Sequence, residues 1–244
     1  MSEKQKMEEP YASGEKRMIT PIAYAKTDLA EKFGVPRQAG LAPALLTEIR
    51  FVPAYRAEEA LRGLEDFSHL WLIWGFSKVK NRAFSPTVRP PRLGGNVRMG
   101  VFATRSPFRP NGLGLSCVTL QGIEKREGQG HVLLVGGADL VDGTPIYDIK
   151  PYIPYADAHP QASGGFAQKP AAPTLCVRDP KAALLQLPKE KREALCQVLA
   201  LDPRPAYAED GDRVYGMEFA GYNIRFRVAG GVVEILTAES RGHA

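Results

Sequence analysis

Residues 86–116 read P-T-V-R-P-P-R-L-G-G-N-V-R-M-G-V-F-A-T-R-S-P-F-R-P-N-G-L-G-L-S, with five prolines, five glycines, five arginines and no acid. Proline removes a backbone donor and glycine disfavours regular structure, so neither a long helix nor a central strand can run through this stretch. Only one short apolar run interrupts it, and the chain's regular elements must be assembled on either side. Arginine is the side chain best suited to planar, bidentate recognition of carboxylate and phosphate. The stretch therefore reads as a binding surface, with Arg89, Arg92, Arg98, Arg105 and Arg109 presented on a proline-fixed backbone.

Charge is concentrated in the same region. Residues 67–123 contain eight lysines and arginines and no Asp or Glu, so with a formal net charge of +5 overall the rest of the chain carries a net −3. Such segregation is expected of a protein that meets a polyanion, although a basic face that merely solvates the fold has the same composition.

The length of 244 residues allows one large or two smaller domains, and the composition is that of an ordinary globular protein. Cys117, Cys176 and Cys196 are far apart and lack C-x-x-C spacing, and the four histidines are mostly isolated. Neither a disulfide framework nor a metal site is expected. The first residues lack the apolar core of a signal peptide, and no run of about 18 apolar residues could span a bilayer, so a reducing cytoplasm is the expected location.

Along the chain, residues 1–17 are charged and read as a mobile tail. Strands are expected over 18–25, over 45–52, where Ile49 and Phe51 alternate with Glu48 and Arg50, and over the aromatic run 69–76. Ala57, Ala60, Leu61 and Leu64 have helical spacing and predict a short helix over 56–66. A strand is expected over 97–103, and residues 114–123 and 131–136 form the arms of a hairpin. Many short strands with turn punctuation predict a mainly β protein whose first domain, 18–156, is a small β-barrel. Residues 157–174, rich in Ala, Gly, Pro and Gln, read as a linker. Residues 175–244 then form a smaller α+β domain, with a helical pattern over 180–200 that Pro188 interrupts and can restart as a second helix, and a meander over 214–219, 222–228 and 232–236.

Several chemistries are not indicated. Gly112-Leu113-Gly114 is followed by Cys117 where a dinucleotide loop needs its third glycine, and there is no Walker loop, no H-E-x-x-H and no G-x-S-x-G. What the chain does contain is P-R-Q at 36–38, G-L-E-D-F-S-H-L-W at 63–71, R-P-P-R-L-G-G-N at 89–96, G-V-F-A-T-R-S-P-F-R-P-N at 100–111 and D-L-V-D-G-T-P-I-Y-D-I-K-P-Y at 139–152. This combination closely resembles the TrmO (TsaA-like, YaeB) family, and covers about residues 18–155, with a weaker continuation at D-P-R-P-A-Y, 202–207. One departure is that the family commonly reads R-P-N-P-I-G where this chain has R-P-N-G-L-G at 109–114, which frees that turn.

The resemblance implies a non-Rossmann β-barrel methyltransferase that works as a homodimer with its pocket near the subunit interface. It implies S-adenosyl-L-methionine as cofactor. The implied substrate is tRNA, methylated on the exocyclic amine of threonylcarbamoyl-adenosine beside the anticodon of threonine tRNA. Carried over residue by residue, the cofactor contacts are Pro36, Arg37, Gln38, His69, Leu70, Arg105, Leu115, Asp142, Gly143, Thr144 and Pro145.

Methyl transfer is an in-line displacement governed by positioning, and the acceptor nitrogen must lose a proton. Asp142 is one candidate to accept it, and an equal reading has Asp142 only capping the D-G-T-P turn. Arg89, Arg92, Arg98, Arg109, Lys150 and Arg204 are candidates for tRNA phosphates, with Tyr207 available to stack on a base. A non-catalytic RNA-binding barrel, or a methyltransferase acting on a small metabolite, remains open at this level.

Overall fold

The computed structural model describes residues 18–79, 83–168, 175–204 and 213–242. The tail 1–17, the end of the linker and Tyr207 lie outside the described residues, and of Arg92 only the backbone is described.

The strands in chain order are β1 Ala23–Thr27, β2 Leu46–Phe51, β3 His69–Gly75, β4 Thr87–Val88, β5 Met99–Gly100, β6 Leu113–Arg126, β7 Gly130–Gly136, β8 Pro145–Pro151, β9 Cys176–Arg178, β10 Val214–Phe219, β11 Tyr222–Ala229 and β12 Val232–Ser240. Two α-helices accompany them, α1 Pro154–Asp157 and α2 Lys189–Ala200. The architecture is mainly β. Six strands close into a barrel in the order β1-β2-β7-β6-β3-β8, each neighbouring pair antiparallel. A separate sheet, ordered β10-β11-β12-β9, carries α2, and β4 with β5 forms a two-stranded ribbon inside the arginine-rich stretch.

Alternation explains the barrel. On β3, Leu70, Leu72 and Trp74 are buried while His69 is exposed and Trp71 and Ile73 are half-buried, so this aromatic run is inward on one face only. The interior also takes Ala23, Ala25, Ile49, Val118, Leu133 and Ile146, whose small and branched shapes fill a six-stranded ring. A second core lies under the C-terminal sheet, where Leu195, Val198 and Leu199 of α2 meet Phe219, Phe226 and Ile235. Leu29, Ala42 and Leu45 from the segment between β1 and β2 insert into that second core. Lys191 of α2 grips the Asp28 carboxylate at 2.7 and 3.0 Å, and the Gln197 side chain accepts from the Ala44 N–H at 2.8 Å. The two cores are thereby laced by one segment.

Three expectations differ from the structure. The helix predicted over 56–66 is replaced by single 3-10 turns, Pro53–Tyr55, Glu58–Leu61 and Leu64–Asp66. Of its apolar positions only Leu61 is buried, and Gly63 at φ +81° breaks the path; a helix this short needs a packed face to persist. The first strand starts later than predicted, with Met18 left in solvent, and the strand predicted over 97–103 shrinks to β5 followed by a 3-10 turn, Val101–Ala103.

Candidate active site

One end of the barrel gathers the features that the sequence pointed to. Here β3 ends at Gly75, β6 begins at Leu113 and β8 begins at Pro145, since antiparallel pairing sets Trp74 opposite both Gly114 and Ile146. The turn before β8 is held by the Thr144 hydroxyl, which donates to the Val141 carbonyl at 2.6 Å, and by the Gly143 N–H, which reaches the Ala25 carbonyl at 2.8 Å. Gly143 adopts φ +76° and open space lies where a Cβ would stand, so the turn leaves room for close approach to its backbone. A cavity of about 220 Å³ opens here, lined by Lys32, Val35, Trp74, Phe76, Asp139 and Thr144 among others.

The floor of this cavity is a buried polar chain. Trp74 Nε1–H donates to Ser116 Oγ at 2.9 Å, and the Ser116 hydroxyl donates to Asp139 Oδ1. Trp74 sits edge-on to Phe76, with centroids 4.5 Å apart, and lies across Gly114, where a Cβ would come within 2.4 Å of the indole. Gly114 is thus a packing requirement. Burial pushes the Asp139 carboxyl above the usual aspartate range, and the Ser116 hydroxyl, nearby backbone N–H groups and the Arg105 charge recover only part of that rise.

The rim is built by the two arginine loops. The exposed Arg105 guanidinium donates to Gln38 Oε1, while Gln38 Nε2 donates to the Arg37 carbonyl at 2.6 Å. Arg37 in turn donates to the Arg204 carbonyl at 3.5 Å. Pro36, Arg37, Gln38, Arg105 and residues 142–145 therefore share one end of the barrel. Asp142 has both carboxylate oxygens engaged, by the Thr27 N–H at 2.9 Å and by Lys26 Nζ at 3.1 Å.

His69 and Leu70 stand at the opposite end of β3, five and four residues from Trp74, or roughly 13–16 Å at the usual strand rise. Leu70 points into the barrel core and can offer a ligand only its backbone. His69 and Leu115 share the outer face of the β3–β6 pair, where Leu115 is 53% exposed.

The basic candidates divide by environment. Arg89 is exposed, Arg98 reaches Thr87 Oγ1 at 3.2 Å, and Lys150 pairs with Asp148 at 3.0 Å in solvent. Arg109 instead donates to the carbonyls of Thr104 and Ser106 at 3.0 and 3.2 Å, bracing its own loop. Arg204 is held fork to fork by Asp202, at 2.8 and 2.9 Å, with little exposure. Gly112, where the sequence departs from the family pattern, has φ +58°, a conformation closed to proline. Among the described residues no group of His, Cys, Asp or Glu could hold a metal ion, and no helix is long and apolar enough to cross a membrane.

A closed barrel with an apolar cavity, a half-buried carboxyl and an arginine rim at one end marks a barrel-type binding site rather than a dinucleotide-binding one. The N-terminal domain of tRNA-methyltransferase O matches residues 24–158 and its C-terminal domain matches residues 174–241. The tRNA (adenine(37)-N6)-methyltransferase of Escherichia coli is 42% identical over 228 residues, covering 90% of this chain and 97% of the relative. A Pseudomonas aeruginosa protein named for S-adenosylmethionine-dependent methyl transfer is 44% identical over 207 residues, covering 82% and 87%. The crystal structure of TrmO from P. aeruginosa superposes with a TM-score of 0.75 at 33% identity, covering 93% of this chain and all of the other. The chain belongs to the tRNA-methyltransferase O family.

Proposed function

We propose that this chain transfers a methyl group from S-adenosyl-L-methionine to the exocyclic nitrogen of adenosine 37 in tRNA. The finer substrate is the threonylcarbamoyl-adenosine beside the anticodon of threonine tRNA. The observation that carries the reading is the juxtaposition at one barrel end of an apolar cavity, a turn open to close backbone approach and an exposed arginine, inside a family of tRNA methyltransferases. The residues present fit the cofactor: Arg105 for its carboxylate, apolar and aromatic walls for its nucleoside, and the Asp139 side for its cation. Bound there, S-adenosylmethionine supplies an electrophilic methyl group.

The chain's own contribution is to bind and orient. Val35 and Thr144 line the cavity, and Pro36, Arg37, Gln38 and the rest of the 142–145 turn adjoin them in the chain, the Asp142 carboxylate shaping that turn through Thr27 and Lys26. The cavity is smaller than the roughly 300–1,000 Å³ of a pocket that encloses a drug-sized ligand, and His69 and Leu70 stand at the far end of β3. Both observations favour a homodimer in which a second copy of this chain brings its outer β3–β6 face, with exposed Leu115, against the cavity mouth.

For tRNA, Arg89, Arg98 and Lys150 are presented to solvent, whereas Arg109 and Arg204 act through the loops they brace. Arg98→Glu is expected to weaken tRNA binding and flatten its salt dependence while leaving S-adenosylmethionine affinity unchanged, and Arg105→Glu to abolish cofactor binding. Calorimetry with each ligand separates the two. Tight tRNA binding with no affinity for S-adenosylmethionine would replace this reading with a non-catalytic RNA-binding barrel.

A further inference from the structure

Asp139 holds an unusual position in this site. It lies three residues before Asp142 in the same loop, yet the two carboxyls face different partners. Asp142 is satisfied by a backbone N–H and a lysine and serves the wall of the turn. Asp139 lines the cavity itself, and its side-chain donor is a hydroxyl whose own oxygen is filled by a buried indole. A hydroxyl held in this way cannot rotate freely, because Trp74 Nε1–H occupies its acceptor side and directs its O–H toward Asp139. Trp74 is fixed in turn by Phe76 and by the close packing over Gly114. The result is a carboxyl of set orientation facing a mostly apolar cavity.

We infer that Asp139 is the proton acceptor of the methyl-transfer reaction, with Ser116 and Trp74 as its positioning residues. The inference rests on the function proposed above. As the acceptor nitrogen forms its bond to the methyl carbon, the carbon–sulfur bond breaks with its electron pair passing to sulfur. The N–H electron pair stays on nitrogen, and the proton moves to Asp139, whose carboxylate becomes a carboxyl that later returns it to water. No further reactant is needed. A carboxylate with heightened proton affinity is a stronger base than an ordinary aspartate, and proton transfer is most efficient when the affinities match. Among the described residues the charged groups that face Asp139 are Arg105 from the loop before β6 and, across the cavity, Lys32 and Lys78. The Arg105 charge, with the Ser116 hydroxyl, limits the rise without cancelling it.

The test compares the full-length protein with its Asp139→Asn variant in single-turnover methylation of tRNA lacking the methyl group, alongside calorimetry with S-adenosylmethionine and thermal melting. Proton acceptance predicts a loss of about 10²–10⁴-fold in the chemical step at saturating cofactor, cofactor binding that persists but weakens because the carboxylate also faces the cofactor's cation, and a melting temperature at neutral pH equal to or above that of the parent, because a desolvated charge has been removed. A merely structural Asp139 predicts the reverse, with reduced stability and a turnover change no larger than the loss of folded protein. Methylation by Asp139→Asn within about threefold of the parent would overturn the inference. If the parent itself methylates no tRNA, it is the proposed function that fails. Should the variant not fold, selectively 13C-labelled aspartate in the parent reads the same property. A carboxyl titrating above the usual aspartate range, and moving upward in Ser116→Ala, supports the inference, and its absence overturns it.

Discussion

Ser116→Ala isolates the polar chain beneath the cavity. Ser116 is 2% exposed and Trp74 8%, so the substitution leaves a buried indole N–H without its acceptor at 2.9 Å and Asp139 without its hydroxyl donor. An orphaned buried donor costs about 1–3 kcal/mol. For a chain of this size that corresponds to a fall of roughly 2–12 °C in melting temperature, at about 2–4 °C per kcal/mol. The deficit should also depend on pH. A carboxyl raised above its unfolded value of 3.8 leaves stability intact at low pH and erodes it as pH climbs from that value through the folded pKa. Losing the Ser116 donor raises the folded pKa further, so Ser116→Ala should lag the parent more at pH 8 than at pH 4. Urea unfolding at both pH values, followed by tryptophan fluorescence, measures this directly. In a Trp74→Phe background the cost of Ser116→Ala should shrink by about 1 kcal/mol, because no indole N–H remains to be stranded. A deficit below about 0.5 kcal/mol, or one independent of pH, would refute the arrangement.

Gly114→Ala should destabilise by about 1–3 kcal/mol and shift tryptophan emission, since a Cβ at 2.4 Å forces the rigid indole out of place; unchanged emission and melting would show that the wall can yield. Lys191→Met should cost about 1–3 kcal/mol in urea unfolding by leaving the partly buried Asp28 carboxylate without its charged donor, and an unchanged midpoint would remove this link between the cores. Burial raises the Glu48 carboxyl, but hydrogen bonds from Arg50 and Arg126 outweigh it and hold the group below its ordinary 4.5. Its contribution is therefore fully present above pH 4.5 and is lost as pH falls through the lower folded value, so Glu48→Gln should flatten that acid limb and leave the stability profile above it unchanged in shape.

What could be read in advance follows from how local each signal is. β2, the 6–7 hairpin and the C-terminal meander are marked by alternation and glycine turns within a few residues, and they form where expected. The segment 56–66 misled because spacing alone cannot say whether a face has anything to pack against, and only Leu61 finds cover. β9 is three residues long and parallel to β12, a pairing with no local signature. The site shows the same division. The arginines and the D-G-T-P turn announced themselves by residue type, but Trp74, Ser116 and Asp139 are separated by 42 and 23 positions and meet only through barrel register. Trp74 is a core residue, and its indole N–H is the part of it that the polar chain beneath the cavity uses. Similarly, the charge on Arg204 suggested RNA, whereas Asp202 two residues earlier already neutralises it.

The central claim, methyl transfer to adenosine 37 of tRNA, is tested most directly by incubating the full chain with methyl-labelled S-adenosylmethionine and tRNA from cells lacking the methyl group, then digesting to nucleosides. The account predicts label only in the N6-methylated form of the threonylcarbamoyl-adenosine at position 37. Label in another nucleoside, or in a small molecule without tRNA, would contradict it.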